Sequence, residues 1–317
     1  MSGDAPEAGA RLIVILGPTA SGKSALGISV AERLGGEILV CDSTQVYRHF
    51  DIGTGKVPLA EQRGIPHHLV DVVEPHDVFT AGEFRRRALD VLEQVRQRGK
   101  LPIITAGTGL YLRALLEGLA DAPERSEELR ERLRSKDKRH GPEHLHRVLT
   151  RMDKEAAKKI APRDTQKIIR AIELRKLAGK PVSEIHRGGR KGLEGYNVIK
   201  IGLQPSRDAL YARINSRVEA MMASGWMQEV RALVARGVPA DAKPFQFIGY
   251  SDLRACLESG RSPIENAVKH IQQSTRQFSK RQVTWFRKEQ DVCWLPGFGD
   301  DPGIIAAALQ IARVKDA

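Results

Sequence analysis

Residues Gly17-Pro18-Thr19-Ala20-Ser21-Gly22-Lys23-Ser24 match the pattern G-x-x-x-x-G-K-[ST]. The apolar run Leu12–Leu16 precedes them, and Ala25, Leu26, Val30 and Leu34 follow at helical spacing. A strand, a glycine-rich turn and a helix, in that order, is the context in which this pattern binds phosphate. The glycines let the backbone wrap so that several N–H groups face one cluster of phosphate oxygens, and the helix N-terminus favours negative charge there. Lys23 adds a point charge, and the Ser24 hydroxyl suits Mg²⁺. The phosphate site is therefore assigned to Gly17, Pro18, Thr19, Ala20, Ser21, Gly22, Lys23 and Ser24. The motif alone leaves open a nucleoside triphosphate or another diphosphate.

The rest of the chain extends this unit. Glu37–Cys41 and Leu101–Thr105 read as buried strands, His68–Val73 as a third short one, and Phe84–Val95 as a helix. Strands alternating with helices imply right-handed βαβ connections and a parallel sheet. The expected fold class is α/β, a P-loop NTPase-like parallel sheet with an inserted all-helical domain. Residues 124–178 carry helical periods and many charges, Gly188-Gly189 and Gly192 mark a mobile loop, and Val198–Leu203 returns to strand. This places the core at 1–120 and 198–317, and the insertion at 121–197. Residues 206–235 read as one long helix or a broken pair, 262–288 as another helix, and Val292–Leu295 as an edge strand. Met1–Ala10 reads as a frayed tail without the apolar block of a secretory signal.

Leu12–Leu16, the longest clean apolar run, is far short of the ~20 residues of a membrane helix. No membrane role is expected. Cys41, Cys256 and Cys293 are scattered, so no CxxC site exists, and sparse cysteine fits a reducing cytoplasm. The charge is uneven. The chain has a formal net charge of +12, and residues 121–200 hold 22 Lys/Arg against 13 Asp/Glu. A basic surface so localised fits a polyanionic partner.

Other positions carry chemistry. Asp42 ends the second strand, where ligands of such sheets sit, and suits either Mg²⁺ binding or general-base work. Thr108, in Ala106-Gly107-Thr108-Gly109, offers a hydroxyl at a neighbouring strand end. Arg213 and Arg217 are i, i+4 on one helix face, suited to a diphosphate or to a solvated pairing with Glu219. Gln166 and Arg170 share a face within the basic segment, with Lys167 beside them. Gln reads base edges, and Lys and Arg position phosphates. His140, His144 and His146 lack ligand-spaced companions and read as surface histidines.

Taken together, these segments resemble the tRNA dimethylallyltransferases, also called tRNA isopentenyltransferases. The resemblance rests on Gly17–Ser24 (GPTASGKS), Asp42–Tyr47 (DSTQVY), Asp51–Lys56 (DIGTGK), His68–Asp71, Phe84-Arg85 and Gly107–Tyr111. It continues through Gln166–Ala171 (QKIIRA), Arg213 and Arg217 with Met221 and Gly225-Trp226, Ile248–Tyr250 and Lys280–Trp285 (KRQVTW). These stand in family order over roughly residues 12–295. The departures are Ala106 for a usual glycine, Val57-Pro58 for a proline directly after the lysine, and Gln246 and Ser251 where basic residues are common. The C-terminal zinc finger of eukaryotic members has no counterpart, which fits a bacterial-type enzyme.

The resemblance implies transfer of a dimethylallyl group from its diphosphate to N6 of the adenosine at tRNA position 37, beside the anticodon, with diphosphate released. It implies Mg²⁺ as cofactor, and tRNA and dimethylallyl diphosphate as partners. Asp42 would be the base. Thr108 and Arg217 would act at the reacting diphosphate, with Arg213 nearby. The tRNA would meet Asp42, Ser43, Thr44, Gln45 and Thr108, then Arg130, Gln166, Lys167, Ile168, Ile169 and Arg170, and Lys280 and Arg281. A cytoplasmic monomer is the default. A small-molecule kinase would explain the P-loop and Asp42 but not the basic insertion. An RNA-binding module with a vestigial P-loop would form no product.

Overall fold

The computed structural model describes residues 9–187, 189–259 and 263–314. Most of the expected N-terminal tail, and Gly188 of the expected loop, lie outside the described residues. The elements run β1 (Ala10–Leu16), α1 (Lys23–Leu34), β2 (Gly36–Cys41), β3 (His67–His68), α2 (Ala81–Gln97), β4 (Leu101–Ala106) and α3 (Gly109–Leu116). Then come α4 (Glu127–His140), α5 (Pro142–Met152), α6 (Lys154–Lys159), α7 (Thr165–Ala178) and α8 (Val182–Arg187). The chain ends with β5 (Tyr196–Leu203), α9 (Arg207–Ala223), α10 (Trp226–Ala235), α11 (Tyr250–Ser259), α12 (Ile264–Phe286), β6 (Val292–Leu295) and α13 (Pro302–Val314).

Two compact units result: residues 1–115 with 194–317, and residues 116–193. The first contains one sheet in the order β3-β2-β4-β1-β5-β6, with every pairing parallel. Residues 12–16 of β1 and all of β2 and β4 are buried. Burial on both faces explains why they read as continuous apolar runs and not as alternating ones. The α1 residues Leu26, Ile28 and Val30 join Ile13, Ile15, Ile38 and Ile103 in one core, together with Ala308 and Ala312 of α13.

Three expectations change. Of the expected strand His68–Val73 only His68 is in β3, with His67 before it, because Leu69 and Asp71 adopt φ of 66° and 54°, outside strand geometry. The helix reading of 206–235 resolves into α9 and α10, broken at Gly225 with φ 98°. Tyr196 and Asn197 pair with Ala10 and Arg11, so they belong to the sheet and not to the insertion.

The second unit is helical and has its own core, including Leu133, Leu145, Leu149, Ile168 and Ile172. Its ends are tied by the Leu193 N–H donating to the Leu116 carbonyl and by an antiparallel bridge between Ala120 and Arg190. At its centre Glu173 is fully buried. Its carboxylate accepts from Arg130 Nε and Nη2, both at 2.8 Å, from Arg170 Nη1 at 2.6 Å and from the Ser126 N–H at 2.9 Å. Burial pushes its pKa up, but the hydrogen bonds from Arg130, Arg170 and Ser126 outweigh this and hold it at about 2.

Removing one partner of such a pair leaves an uncompensated buried charge, which costs roughly 3–5 kcal/mol. Glu173→Gln should therefore raise native-state hydrogen exchange across α4–α7 of the full chain while β1 and β4 stay protected. Equal exchange in both proteins would mean the pair stabilises nothing. Because the folded pKa lies below the unfolded one, this contribution is present above the ordinary glutamate pKa and is lost as pH falls toward about 2.

Candidate active site

The strand order reverses direction around the β1–β4 pair. β1 leads leftward to β2, and β4 leads rightward to β5. Ligands of open α/β sheets sit at such a switch point, outside the carboxyl ends of the strands. Three loops meet there: the P-loop after β1, the Asp42 loop after β2 and the Gly107-Thr108 loop after β4. Gly107 N–H and Thr108 N–H both donate to the Cys41 carbonyl, at 3.0 and 3.1 Å, which ties the second and third loops together.

The P-loop takes its shape from alternating backbone hands. Ala20 has φ 62° and Gly22 φ 89°, with helix α1 starting at Lys23. A left-handed non-glycine residue is strained, and such alternation makes an anion-binding nest. Lys23 Nζ donates to the Pro18 carbonyl at 2.8 Å, closing the loop over its own ammonium. Burial lowers the Lys23 pKa to about 8, with Arg217 adding to the fall and Asp42 opposing it. The Arg217 pKa is lowered in the same way, by burial and then by Arg213, against a counter-effect from Asp42. Two partly desolvated cations and one carboxylate thus share one electrostatic neighbourhood.

Asp42 is held firmly. Its Oδ1 accepts from the Thr44 N–H at 2.8 Å and the Thr44 hydroxyl at 2.6 Å. Its Oδ2 lies against Gly107, where an added Cβ would come within 2.5 Å of it. The Thr108 hydroxyl accepts from the Ser43 N–H at 3.0 Å and donates to Ser43 Oγ at 3.2 Å. Gln45 Nε2 donates to the Thr54 carbonyl at 3.2 Å, which holds the 51–56 loop. That loop is fixed from its other side as well. Glu229 Oε2 accepts the Asp51 and Ile52 N–H groups, and the Tyr250 hydroxyl accepts the Gly53 N–H and donates to Glu229 Oε1. Gly55 lies directly on Arg217, where a Cβ would overlap Nη2, and both Gly53 and Gly249 lie against Trp226.

Several expected site residues have other partners. Arg213 forks to both oxygens of Asp300, at 2.7 and 2.9 Å, and stacks on Phe298 at 4.6 Å. Its charge is already matched, so it is not a free diphosphate clamp. Glu219, its alternative partner, accepts from Gln272 instead. Arg130 is 8% exposed and locked onto Glu173, and Ile168 and Ile169 are core residues of the helical unit. Their side chains are not open to RNA. Arg170 is half-committed, to Glu173 and to the Pro123 carbonyl. Gln166 and Lys167 are exposed on α7, although Lys167 also pairs with Asp164. Lys280 and Arg281 are exposed on α12 and line a groove with Gln277, Thr284, Trp285 and Lys288.

For Mg²⁺ the donor set is one hydroxyl, Ser24, with the Asp42 carboxylate in the same crevice. No cluster of three His, Cys, Asp or Glu suited to a metal exists among the described residues. A sparse oxygen set fits Mg²⁺, which keeps several waters and relies on substrate phosphates. It does not fit an all-protein metal cage.

Reading for charge missed two residues. Gln282 is 7% exposed, on the inner side of α12, and contacts both the P-loop and the Gly107 loop. Asp300 stands beside Gly22, and the Gly299 N–H donates to the Ser21 carbonyl at 2.9 Å. Gln282 lay within the KRQVTW segment, but its charged neighbours drew the assignment. An uncharged amide on the apolar side of an amphipathic helix was the available signal.

The description "IPP transferase" belongs to the family model that matches residues 45–289. A tRNA dimethylallyltransferase of Koribacter versatilis is 51% identical over 308 residues, covering 96% of this chain and 98% of its own. The Solibacter usitatus protein of the same name is 46% identical, over 94% and 96%. Among solved structures, the tRNA isopentenylpyrophosphate transferase of Bacillus halodurans has 35% identity and a TM-score of 0.69, covering 96% of this chain and 97% of its own. A eukaryotic dimethylallyltransferase acting on tRNA has 28% identity and a TM-score of 0.81, over 97% and 79%. The sheet is the P-loop NTPase-like core of these neighbours. With more than half of its length matched by the family model and near-complete coverage at these identities, the chain belongs to the IPP transferase family.

Proposed function

We propose that this chain transfers a dimethylallyl group from dimethylallyl diphosphate to N6 of the adenosine at position 37 of tRNA, next to the anticodon. The observation that carries the reading is Lys23 and Arg217, two partly desolvated cations, sharing the switch-point crevice with the single tethered carboxylate of Asp42. Such a site can stabilise a departing diphosphate and accept one proton.

In the reaction the N6 lone pair forms a bond to the allylic carbon, and that carbon's bond to oxygen breaks. The electron pair leaves with the diphosphate, and the N6 proton passes to the Asp42 carboxylate. Leaving-group charge grows as the C–O bond breaks, so fixed cations in a partly desolvated site stabilise the transition state more than the ground state. Lys23 and Arg217 take this role, and the P-loop nest holds the diphosphate. The Ser24 hydroxyl would hold Mg²⁺, which would supply further charge neutralisation at the leaving group when bound. Thr44 keeps Asp42 oriented, and Thr108 fixes the Ser43 turn beside it. An exocyclic amine is a weak nucleophile, and a hydrogen bond to Asp42 aims it.

A base within an anticodon loop has to leave its stack to enter such a crevice, and loop bases are the least costly to extrude. Lys280 and Arg281 on α12, and Gln166 and Lys167 on α7, supply exposed groups for tRNA phosphates and base edges. A cytoplasmic monomer completes the proposal. Among the described residues no helix is long and apolar enough to cross a membrane.

The test is one reaction with the chain, Mg²⁺, dimethylallyl diphosphate and unmodified tRNA with an adenosine-rich anticodon loop. Mass spectrometry of the digested RNA should show dimethylallyl-adenosine, formed without ATP. Absence of product together with ATP turnover would replace the reading with a kinase.

Asp42→Asn keeps an oxygen for Thr44 but removes the base. Turnover should fall about 10²–10⁴-fold, with tRNA affinity within roughly twofold by the same separation of chemistry from binding. Wild-type turnover in this variant would sink the base assignment.

Lys23 gives a pH signature. Its pKa in the free protein is about 8. Bound diphosphate raises it, so binding takes up a proton above that value. Diphosphate affinity should therefore weaken as pH rises from about 8, by up to tenfold per pH unit at the limit of one linked proton. Lys23→Arg should flatten the dependence. Calorimetric titration at several pH values checks this, and a flat wild-type profile contradicts it.

A further inference from the structure

Gln282 joins two loops that are remote in sequence. Its Oε1 accepts the Thr19 N–H at 2.7 Å, and its Nε2 donates to the Gly107 carbonyl at 2.8 Å. Thr19 is inside the P-loop. Gly107 walls Asp42: an added Cβ there would lie 2.5 Å from Asp42 Oδ2 and 3.9 Å from Gln282 Nε2. One buried amide therefore spans the gap between the loop that cradles the leaving group and the loop that backs the base.

Chemistry fixes the orientation of this amide. A backbone N–H pairs only with its oxygen, and a backbone carbonyl only with its NH₂, so a flipped amide would lose both bonds. Few side chains could replace it. Glutamate keeps the acceptor but, when ionised, has no donor for Gly107 and brings a negative charge beside Asp42. Asparagine is one methylene shorter. Alanine leaves the Thr19 N–H and the Gly107 carbonyl without their partner, and buried polar groups are costly to leave unmade. The bond also removes the Thr19 N–H from the donors available to a phosphate, which limits the nest to the residues after it.

We propose that Gln282 is a positioning residue for the transfer reaction. Its amide sets the spacing between the P-loop and the Asp42 wall, and hence the approach of the attacking nitrogen to the allylic carbon. This rests on the function proposed above. Displacements of about 1 Å in such a spacing lower rates by up to ~100-fold without abolishing substrate binding.

Two measurements test it. The first is hydrogen exchange of the full chain. In Gln282→Ala, exchange should rise at Thr19 and at Gly107-Thr108 while β1 and β4 stay protected. Unchanged exchange at those amides overturns the brace, whatever the catalytic result. The second is turnover of Gln282→Glu relative to wild type across mildly acidic to neutral pH. At neutral pH its kcat should be about 10–100-fold below wild type, with tRNA Kd unchanged. The ratio of variant to wild type should climb as pH falls, because the introduced carboxyl group, once protonated, regains a donor to the Gly107 carbonyl. The same ratio for Gln282→Ala should stay flat. A Gln282→Glu kcat equal to wild type, or a loss matched by an equal loss of folded protein, overturns the proposal. Wild-type protein that forms no product would overturn the proposed function instead, and the exchange experiment would still decide whether the brace exists.

Discussion

The parallel pairing of β1 with β4 is the constraint on which the site depends. Leu16 stands opposite Ala106, so both strands end at the same level of the sheet. Cys41 of β2 also registers with Ala106. A slip of one residue would turn every buried side chain to the opposite face. It would also move Asp42 relative to Gly107. The apolar runs thus have two effects at once. They exclude water from both faces of the sheet, and they align the three loop starts so that backbone bonds to the Cys41 carbonyl can form. Site geometry here is a consequence of core packing.

Given that alignment, electrostatics are arranged by burial. An isolated lysine in water holds its proton far above neutrality, and Lys23 is brought down to about 8 by burial, with Arg217 adding to it. An ammonium in that state gains most from an arriving anion, because the anion replaces lost solvation. Asp42 opposes the fall at both cations. The same carboxylate is fixed by the Thr44 bonds on Oδ1 and by the glycine against Oδ2.

What was legible in the sequence followed from strong local patterns. Leu12–Leu16, Glu37–Cys41 and Leu101–Thr105 are short, apolar and followed by small or polar turns, so their strands were evident. Of His68–Val73 only His68 stayed in a strand, because the left-handed backbone at Leu69 and Asp71 is a tertiary result. Helix α3 escaped because it begins inside a glycine turn, and α13 escaped although Asp301 caps it, accepting the Gly303 N–H just after Pro302 opens the helix. The P-loop residues, Asp42, Thr108 and Arg217 were named by motif or resemblance, and the loops that carry the first three meet at one end of the sheet. The same method placed Arg130, Ile168 and Ile169 at the tRNA, since a motif carries residue types without their burial. Glu173 decides the matter for Arg130, and only its position in the fold shows that.

Arg213 shows the same limit more sharply. At i, i+4 it shares a helix face with Arg217, and spacing gives the two equal claims on a diphosphate. Their surroundings separate them. Arg213 finds Asp300 and the face of Phe298, supplied by a segment 87 residues later. Arg217 meets Gly55 and the field of Lys23 and Asp42. A matched guanidinium gains little from a second anion, whereas one lowered by burial gains more. The Arg213–Asp300 fork therefore acts on the site indirectly. It anchors the strip around Gly299, whose N–H bonds the Ser21 carbonyl and whose backbone leaves no space for a side chain on Gly22. With Gln282 holding Thr19, the P-loop is fastened near both ends by residues from the C-terminal part of the chain. A strained loop containing left-handed Ala20 keeps its shape only when its surroundings over-determine it, and these two attachments supply that restraint.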